Sequence, residues 1–251
     1  VPLSVTPPPQ MPATMEAGTI DGYCVGEPWN QAAVFQGIGV PIATDQHVKT
    51  TNPEKVFGMR EDFAEQYPNT ARAMLRALIR AQQWLDADDN ANREAAVDIL
   101  ARSENVGADR EVIAASMTGV FTFEQGDTRP APDFNVFYRD FAGYPYYSDA
   151  IWYLSQMRRW GQSDVDQGDE WYVEQAQNTY RPDLYLEAAQ DLIDAGTIDA
   201  ADVPETDGFR GVEDDFIDAI PFDGAAPNAY LESLDIGLKA GQTVTANGVQ
   251  G

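Results

Sequence analysis

Apolar residues along the chain follow two kinds of spacing, one typical of helices and one typical of buried strands. The clearest helical pattern begins after Asn69 and Thr70, which are suited to cap a helix, and it predicts a helix that packs on a core through one face. Its apolar stripe comprises Met74, Leu75, Leu78, Ile79 and Leu85. The same spacing predicts helices at residues 10–17, 29–35, 92–102, 110–117, 148–160 and 183–195. Short apolar runs predict strands at residues 1–6, 22–25, 40–43 and 56–59.

The order of these elements predicts an α/β fold. A strand, a helix and a second strand follow one another between residues 1 and 25, which is typical of a parallel βαβ unit. Gly and Pro predict a loop at residues 126–132. Residues 199–223 are rich in acidic side chains and lack a long apolar period, so they are predicted to form a tail that wraps the surface.

Charge then limits the possible functions. The 251 residues include 41 acidic and 16 basic side chains, which gives a net charge of −25. Such a field repels nucleic acids and anionic lipids, so nucleic-acid binding is the least expected function. A small anion is still an acceptable ligand, because local N–H groups and one or two cations dominate the field inside a buried site.

Side chains suited to catalysis are scarce. His47 is the only histidine and Cys24 the only cysteine, and Cys24 lies in a predicted apolar strand, where a thiol is expected to be inert. The sequence contains no zinc-ligand spacing, no phosphate-binding loop motif and no dinucleotide fingerprint. We therefore expect a protein that binds a ligand without chemistry and without a metal or cofactor.

A run of prolines is the first candidate for ligand binding. Pro7 and Pro8, with Pro9, fix an extended backbone after the first predicted strand. Gln10 and Met11 then begin a helix, and their free N–H groups are placed where they can face an anion. The alternative interpretation is a rigid turn.

The end of the second predicted strand supplies two more candidates. Glu27 and Trp29 follow the strand at residues 22–25, and open α/β sheets bind ligands at the carboxyl ends of their strands. The alternatives are a helix-capping Glu27 and a packing Trp29.

A cation is predicted from the loop between the third and fourth strands. The chain has three lysines, and Lys49 and Lys55 both belong to this region. Lys55 is favoured as the compact positive charge beside a small anion, and its alternative is a surface lysine. His47 in the same loop can donate or accept a hydrogen bond according to pH.

Several segments resemble one known family. Pro7-Pro8-Pro9-Gln10-Met11, the run DGYCVGEPWN at residues 21–30 and NPEKV at residues 52–56 are similar to segments of the nitrate- and bicarbonate-binding proteins of bacterial ABC importers, the NrtA/CmpA type. The similarity continues through YRPDLY at residues 180–185 and YLESLDI at residues 230–236. It implies the α/β, two-lobed periplasmic-binding-protein type II (Venus flytrap) architecture, with the N-terminal part missing. Residues 1–45 would then form part of the second lobe and the crossover. Residues 46–251 would form the C-terminal part of the first lobe, with wrapping helices and the acidic tail.

The resemblance also implies a ligand. In this family a proline of the PPPQM segment lines the site, and a position near Lys55 is lysine in nitrate binders and acidic in bicarbonate binders. Lys55 therefore favours nitrate over nitrite or bicarbonate, and calcium is expected only if the ligand is bicarbonate. A length difference before Pro53 leaves His47 and Lys49 as other occupants of the decisive position.

The implied function is the solute-binding component of an importer, which delivers its anion to an ABC permease from the periplasm or the outer face of the cytoplasmic membrane. One alternative is a cytoplasmic nitrate-sensing regulator of the same fold that sequesters an antiterminator protein. Another is an enzyme similar to the thiamine-precursor synthases, which would need a site rich in His and Cys. The single His47 and single Cys24 disfavour the enzyme.

Overall fold

The computed structural model describes residues 3–164, 166–235, 237–239, 241–245 and 248–250. It divides the chain into two compact units. Unit 1 contains Val1–Thr44 and Ala81–Asp140, and unit 2 contains Asp45–Arg80 and Phe141–Gly251. The first border falls one residue before the predicted border at 45/46, but the chain returns to unit 1 for residues 81–140. The assignment of residues to family lobes stays a prediction.

Helices dominate the described residues. They are α1 Met11–Glu16, α2 Trp29–Phe35, α3 Asp45–Val48, α4 Glu61–Gln66, α5 Pro68–Asn90, α6 Arg93–Leu100, α7 Arg110–Met117, α8 Tyr147–Arg159, α9 Asp169–Thr179, α10 Pro182–Asp194 and α11 Pro227–Ser233. Two antiparallel hairpins complete the set, β1 Val120–Glu124 with β2 Asp127–Pro130, and β3 Thr243–Thr245 with β4 Gly248–Gln250. In the described part of the chain, no helix combines the length and apolar character needed to cross a membrane.

Most of the predicted helices are confirmed. The predicted helices at residues 29–35 and 110–117 match α2 and α7, and those at residues 148–160 and 183–195 match α8 and α10 within one residue. The long helix α5 begins at Pro68, before the predicted caps, because proline is well suited to the first turn of a helix. Of its predicted apolar stripe, Ile79 is buried, whereas Met74 is exposed.

The predicted strands at residues 22–25, 40–43 and 56–59 are wrong for the described chain. These segments, and residues 3–6 of the first predicted strand, have no regular secondary structure, and residues 1 and 2 lie outside the described residues. Val40, Ile42 and Val56 are exposed. A strand requires a hydrogen-bonded neighbour, which an apolar sequence does not supply by itself. Conversely, the predicted loop at residues 126–132 contains β2, which pairs with β1 across the Gly126 turn.

A buried ion pair holds the core of unit 1. Arg93 donates to Asp86 at 2.6 Å, and each side chain is 3% exposed. Asp86 also accepts from the backbone N–H groups of Phe137, Tyr138 and Arg139. Burial raises the pKa of Asp86, but these N–H groups and Arg93 outweigh it and hold that pKa below its ordinary value. The pair therefore joins the end of α5, the start of α6 and residues 137–139.

The core of unit 2 forms around α8. Ile151 and Trp152 of this helix pack with buried residues of α9 and α11, and also with Phe222. The acid-rich segment 199–223 packs against α8, and its Phe222 belongs to this core, so the segment is more than the surface tail that the sequence predicts. Its Gly208 accepts from the backbone N–H of Tyr147 at 2.8 Å and has a φ of 99°; a side chain there would meet the Tyr147 ring.

Candidate functional site

The proline segment forms a turn and does not present free N–H groups at Gln10 and Met11. Pro7 has the extended angles φ −58° and ψ 134°, and a 3-10 turn follows over Pro8–Gln10. The N–H of Gln10 donates to the Pro7 carbonyl at 2.9 Å, and the N–H of Met11 donates to that of Pro8. The expectation that these two donors face an anion is therefore wrong, because the turn itself uses them. Pro7 and Pro8 are exposed, and their contact with a ligand stays a prediction.

Glu27 and Trp29 lie at the start of α2, as the alternative capping interpretation describes. The carboxylate of Glu27 accepts from the N–H of Gln31 at 3.1 Å, and the hydroxyl of Tyr23 donates to the Trp29 carbonyl at 3.0 Å. Burial raises the pKa of Glu27, although its hydrogen bonds to Gln31 and Asn30 oppose the change. The Glu27 side chain thus supports the first turn of α2, whereas Trp29 takes part in that turn through its backbone carbonyl.

Cys24, between Tyr23 and Val25 in the same segment, is exposed. The expectation of a buried thiol is wrong, since the segment around Cys24 is irregular rather than a buried strand.

The Lys55 side chain is accessible to solvent, and its ammonium is hydrogen-bonded to the preceding residue, Glu54. Its ammonium donates to the two carboxylate oxygens of Glu54 at 2.8 and 2.7 Å, and its side chain is 75% exposed. Exposed pairs of this kind are weak, so the ammonium can turn towards another anion at little cost. His47 lies in α3 and is exposed.

Lys49, the third candidate for the cation, has the opposite environment. Its side chain is 4% exposed and lies 5.4 Å from the centre of the Trp152 ring. The ammonium donates to Asp215 at 2.7 Å, to Thr51 at 2.9 Å and to Glu213 at 3.4 Å. An ammonium has three N–H donors, so these contacts use all of them.

Charges around Lys49 disfavour an anion still further. Arg210 donates to Asp149 at 2.8 Å and lies 4.0 Å from the centre of the Tyr146 ring. Burial raises the pKa of Asp149, and Arg210 opposes that change. We call Lys49, Asp149, Arg210, Glu213 and Asp215 the Lys49 cluster. With three carboxylates and two cations, it joins the acid-rich segment to α8 and to Lys49, just after α3, and does not offer a positive site.

A second polar group fastens the same segment further along α8. Arg159 donates to Asp218 at 3.0 Å and to the hydroxyl of Tyr230 at 2.9 Å, and this hydroxyl donates to Asp218 at 2.8 Å. Burial, together with Asp218, raises the pKa of Tyr230 to about 12. Neither the Lys49 cluster nor the contacts among Arg159, Asp218 and Tyr230 were predicted from the sequence. The available signal was the presence of Asp149 and Arg159 on a helix whose period places them beside apolar core positions.

A cavity of ≈ 520 Å³ lies elsewhere in unit 1. It is lined by Ala32 and Phe35 of α2, by Gln36 just after that helix, and by residues 109–112 around the start of α7. None of the ligand residues predicted from the sequence lines it. In the residues that the structure covers, no group of three or more His, Cys, Asp or Glu side chains could hold a metal ion.

Comparison with known proteins identifies relatives over nearly the whole chain. The model of the NMT1-like family matches residues 1–101. The nitrate/nitrite binding protein NrtA of Nostoc is 38% identical over 237 residues, which cover 93% of this chain and 51% of the relative. The nitrate import ATP-binding protein NrtC of Synechocystis is 41% identical over 189 residues, which cover 74% of this chain and 27% of the relative. This chain thus spans about half, or less, of the relatives it matches.

The fold is shared with a solved relative. The crystal structure of the periplasmic nitrate-binding protein NrtA from Synechocystis superposes with a TM-score of 0.83 and 35% sequence identity. The match covers 93% of this chain and 58% of that chain. The predicted α/β, periplasmic-binding-protein fold is confirmed, and so is the resemblance noted from the sequence.

Proposed function

We propose that this chain belongs to the nitrate/bicarbonate-binding family, and that it is part of a solute-binding protein of an ABC importer that captures a small oxyanion, most favourably nitrate. The observation that carries the proposal is the match to nitrate-binding NrtA over 93% of the chain, in both sequence and fold. The relatives named above are binding or transport proteins, so we also propose that the chain performs no chemistry. The alternative of a cytoplasmic sensor is not favoured.

Lys55 is the cation that we propose beside the anion. Lys49 is buried and its donors are all engaged, whereas Lys55 is exposed and donates to the adjacent Glu54. A compact ammonium suits a small monoanion. Pro7, Pro8, Glu27, Trp29 and His47 remain the other proposed ligand contacts.

Replacing Lys55 with Ala in the full-length gene product is expected to weaken nitrate binding by at least about tenfold. A desolvated, charge-assisted hydrogen bond contributes roughly 1.5–3 kcal/mol, and about 1.4 kcal/mol corresponds to tenfold in affinity. Isothermal titration calorimetry with nitrate measures the change. The matched control is Lys239→Ala, at the third lysine of the chain, which is expected to bind nitrate like the wild type. Unchanged affinity in Lys55→Ala would remove Lys55 from the site, and absence of nitrate binding by the wild type would overturn the proposed function itself.

Selectivity between trigonal anions is a separate expectation. Nitrate has no proton to donate, whereas bicarbonate carries an O–H group that needs an acceptor, and calcium can neutralise a carboxylate placed there for that purpose. Lys55→Glu is therefore expected to reverse the order of affinity, and added calcium should strengthen bicarbonate binding by that variant alone. Competition calorimetry with the two anions, with and without calcium, tests this. Tighter binding of bicarbonate than of nitrate by the wild type would contradict it.

The proposed location and partner follow from the same relatives. We propose that the protein acts in the periplasm or at the outer face of the cytoplasmic membrane and delivers its anion to an ABC permease, without a resident cofactor. The similarity to NrtC supports a second candidate, a solute-binding domain that works as part of an ATP-binding subunit. This sequence has no phosphate-binding loop motif. Such a motif elsewhere in the same reading frame would favour the second candidate.

A further inference from the structure

The stretch of chain that carries Lys55 has no regular secondary structure. It covers residues 52–60 and ends where α4 begins at Glu61, and the side chains of Glu54 and Lys55 lie at the surface. A backbone of this kind holds its position weakly by itself, because it lacks the repeated hydrogen bonds of a helix or a sheet. The direction in which Lys55 points therefore depends on contacts from outside the stretch.

Tyr153 of α8 supplies such a contact. Its hydroxyl donates a hydrogen bond to the carbonyl of Pro53, and Pro53 is half-buried whereas the residues just after it are exposed. Both residues belong to unit 2. A peptide group is planar, so a bond to this carbonyl fixes the plane that joins Pro53 to Glu54. Only the two backbone dihedrals of Glu54 then separate the fixed plane from the peptide group of Lys55.

The position of Tyr153 is itself fixed by the core of unit 2. Trp152, the residue before it on α8, is 4% exposed, and its ring centre lies 5.4 Å from the Lys49 ammonium. Two consecutive residues of α8 therefore hold the two ends of the segment 49–53, since Trp152 contacts Lys49 and Tyr153 contacts Pro53. A packed helix thus provides a rigid support just before Lys55.

The Tyr153 hydroxyl stays protonated well above neutral pH. Burial is the largest cause of a rise in the pKa of Tyr153 to about 12, and Tyr180, Asp45 and Glu54 add to this rise. A tyrosine must keep its proton to donate to a carbonyl. The contact with Pro53 is therefore available throughout the neutral range.

We propose that Tyr153 is a positioning residue for the anion site, because its hydroxyl holds the Pro53 carbonyl and so directs the Lys55 ammonium. This inference rests on the proposed function, in which Lys55 is the cation beside a small anion. Tyr153 acts through Lys55 and not on the ligand. Without its hydroxyl the stretch samples more conformations, so binding must order it and the affinity falls.

Tyr153→Phe removes the hydroxyl and keeps the ring. In the full-length gene product this variant is expected to bind nitrate about fivefold more weakly, as loss of one hydrogen bond usually does. In a Lys55→Ala background the same change should have no further effect, because the residue through which Tyr153 acts is gone. Isothermal titration calorimetry with nitrate measures both. The matched control is Tyr67→Phe, at a tyrosine of unit 2 that is 48% exposed and packs on the Phe63 ring, and it should bind like the wild type.

A second measurement does not depend on nitrate. The endoproteinase Lys-C cleaves after lysine, and its rate at the Lys55–Val56 bond, followed by mass spectrometry, reports how freely this exposed stretch moves. Tyr153→Phe should speed this cleavage several-fold and Tyr67→Phe should not, while thermal unfolding of both variants shows whether the effect is local. Cleavage at the wild-type rate in Tyr153→Phe, or an equal loss of nitrate affinity with and without Lys55, would overturn the role of Tyr153. Absence of nitrate binding by the wild type would instead overturn the proposed function, and the cleavage rates would still show whether Tyr153 holds the stretch.

Discussion

Replacing Asp86 with Asn is expected to lower the free energy of unfolding by about 3–5 kcal/mol, which is the usual cost of breaking a buried ion pair by removal of one partner. The carboxylate accepts from Arg93 and from three backbone N–H groups. An amide offers only one oxygen, and its NH2 group would then face other donors without an acceptor. Chemical denaturation followed by circular dichroism, with amide exchange in α6 and at residues 137–139, measures the loss.

The same substitution should change the response to acid. Because the folded pKa of Asp86 is held below its unfolded value, its contribution is fully present above the unfolded pKa, near 4 for an aspartate, and is lost as pH falls. The stability gap between wild type and Asp86→Asn should therefore narrow below about pH 4. Asp62→Asn is the matched control, since Asp62 also pairs with an arginine but is exposed, and no change is expected. A gap that stays constant down to the acid transition would contradict the role of the charge.

Replacing Lys49 with Met is expected to destabilise unit 2 by about 2–3 kcal/mol. Met keeps most of the volume and the contact with Trp152, but it leaves Asp215 and Glu213 facing each other without their shared cation. This expected loss of stability lies at or below the lower end of the usual range for breaking a buried ion pair, because Asp215 and Glu213 are still partly accessible to water. Thermal unfolding, with amide exchange of α8, reports the change.

Lys55→Met is the matched control for Lys49→Met. Lys55 is 75% exposed and pairs with an adjacent glutamate, so its removal should leave the unfolding transition unchanged. The two lysines would then be separated by role, with Lys49 required for folding and Lys55 available for the ligand. Equal unfolding temperatures for Lys49→Met and the wild type would show that the Lys49 cluster adds no stability.

Helical order could be predicted from this sequence because it depends on spacing within a short segment. The helices α2, α7 and α8 follow directly from apolar residues three and four positions apart. Strands could not be predicted in the same way. The apolar runs at residues 40–43 and 56–59 indicate only a preference for β structure, and a strand also needs a second, distant segment to pair with. The same limit explains the error at Cys24, whose burial was inferred from a strand that is not there.

The candidate site was accessible to sequence reasoning only in part. Family resemblance selected Lys55, but it could not distinguish an exposed Lys55 from a buried Lys49, because the contacts that bury Lys49 come from Glu213 and Asp215, more than 160 residues away. Likewise, the N–H groups of Gln10 and Met11 looked free because a helix start usually leaves donors unpaired. The 3-10 turn over Pro8–Gln10 satisfies them locally.

The path of the chain through the two units limits how the protein can be divided. Each unit is assembled from two separate stretches of sequence, and α5 contributes its first part to unit 2 and its last part to unit 1. A cut after residue 140 would leave residues 141–251 without Asp45–Arg80, and a cut after residue 44 would separate α1 and α2 from α6 and α7. No single truncation therefore yields both units intact, and deletion mapping of any activity would report loss of folding before loss of a site. Point substitutions on exposed positions are the appropriate means of assigning function to either unit.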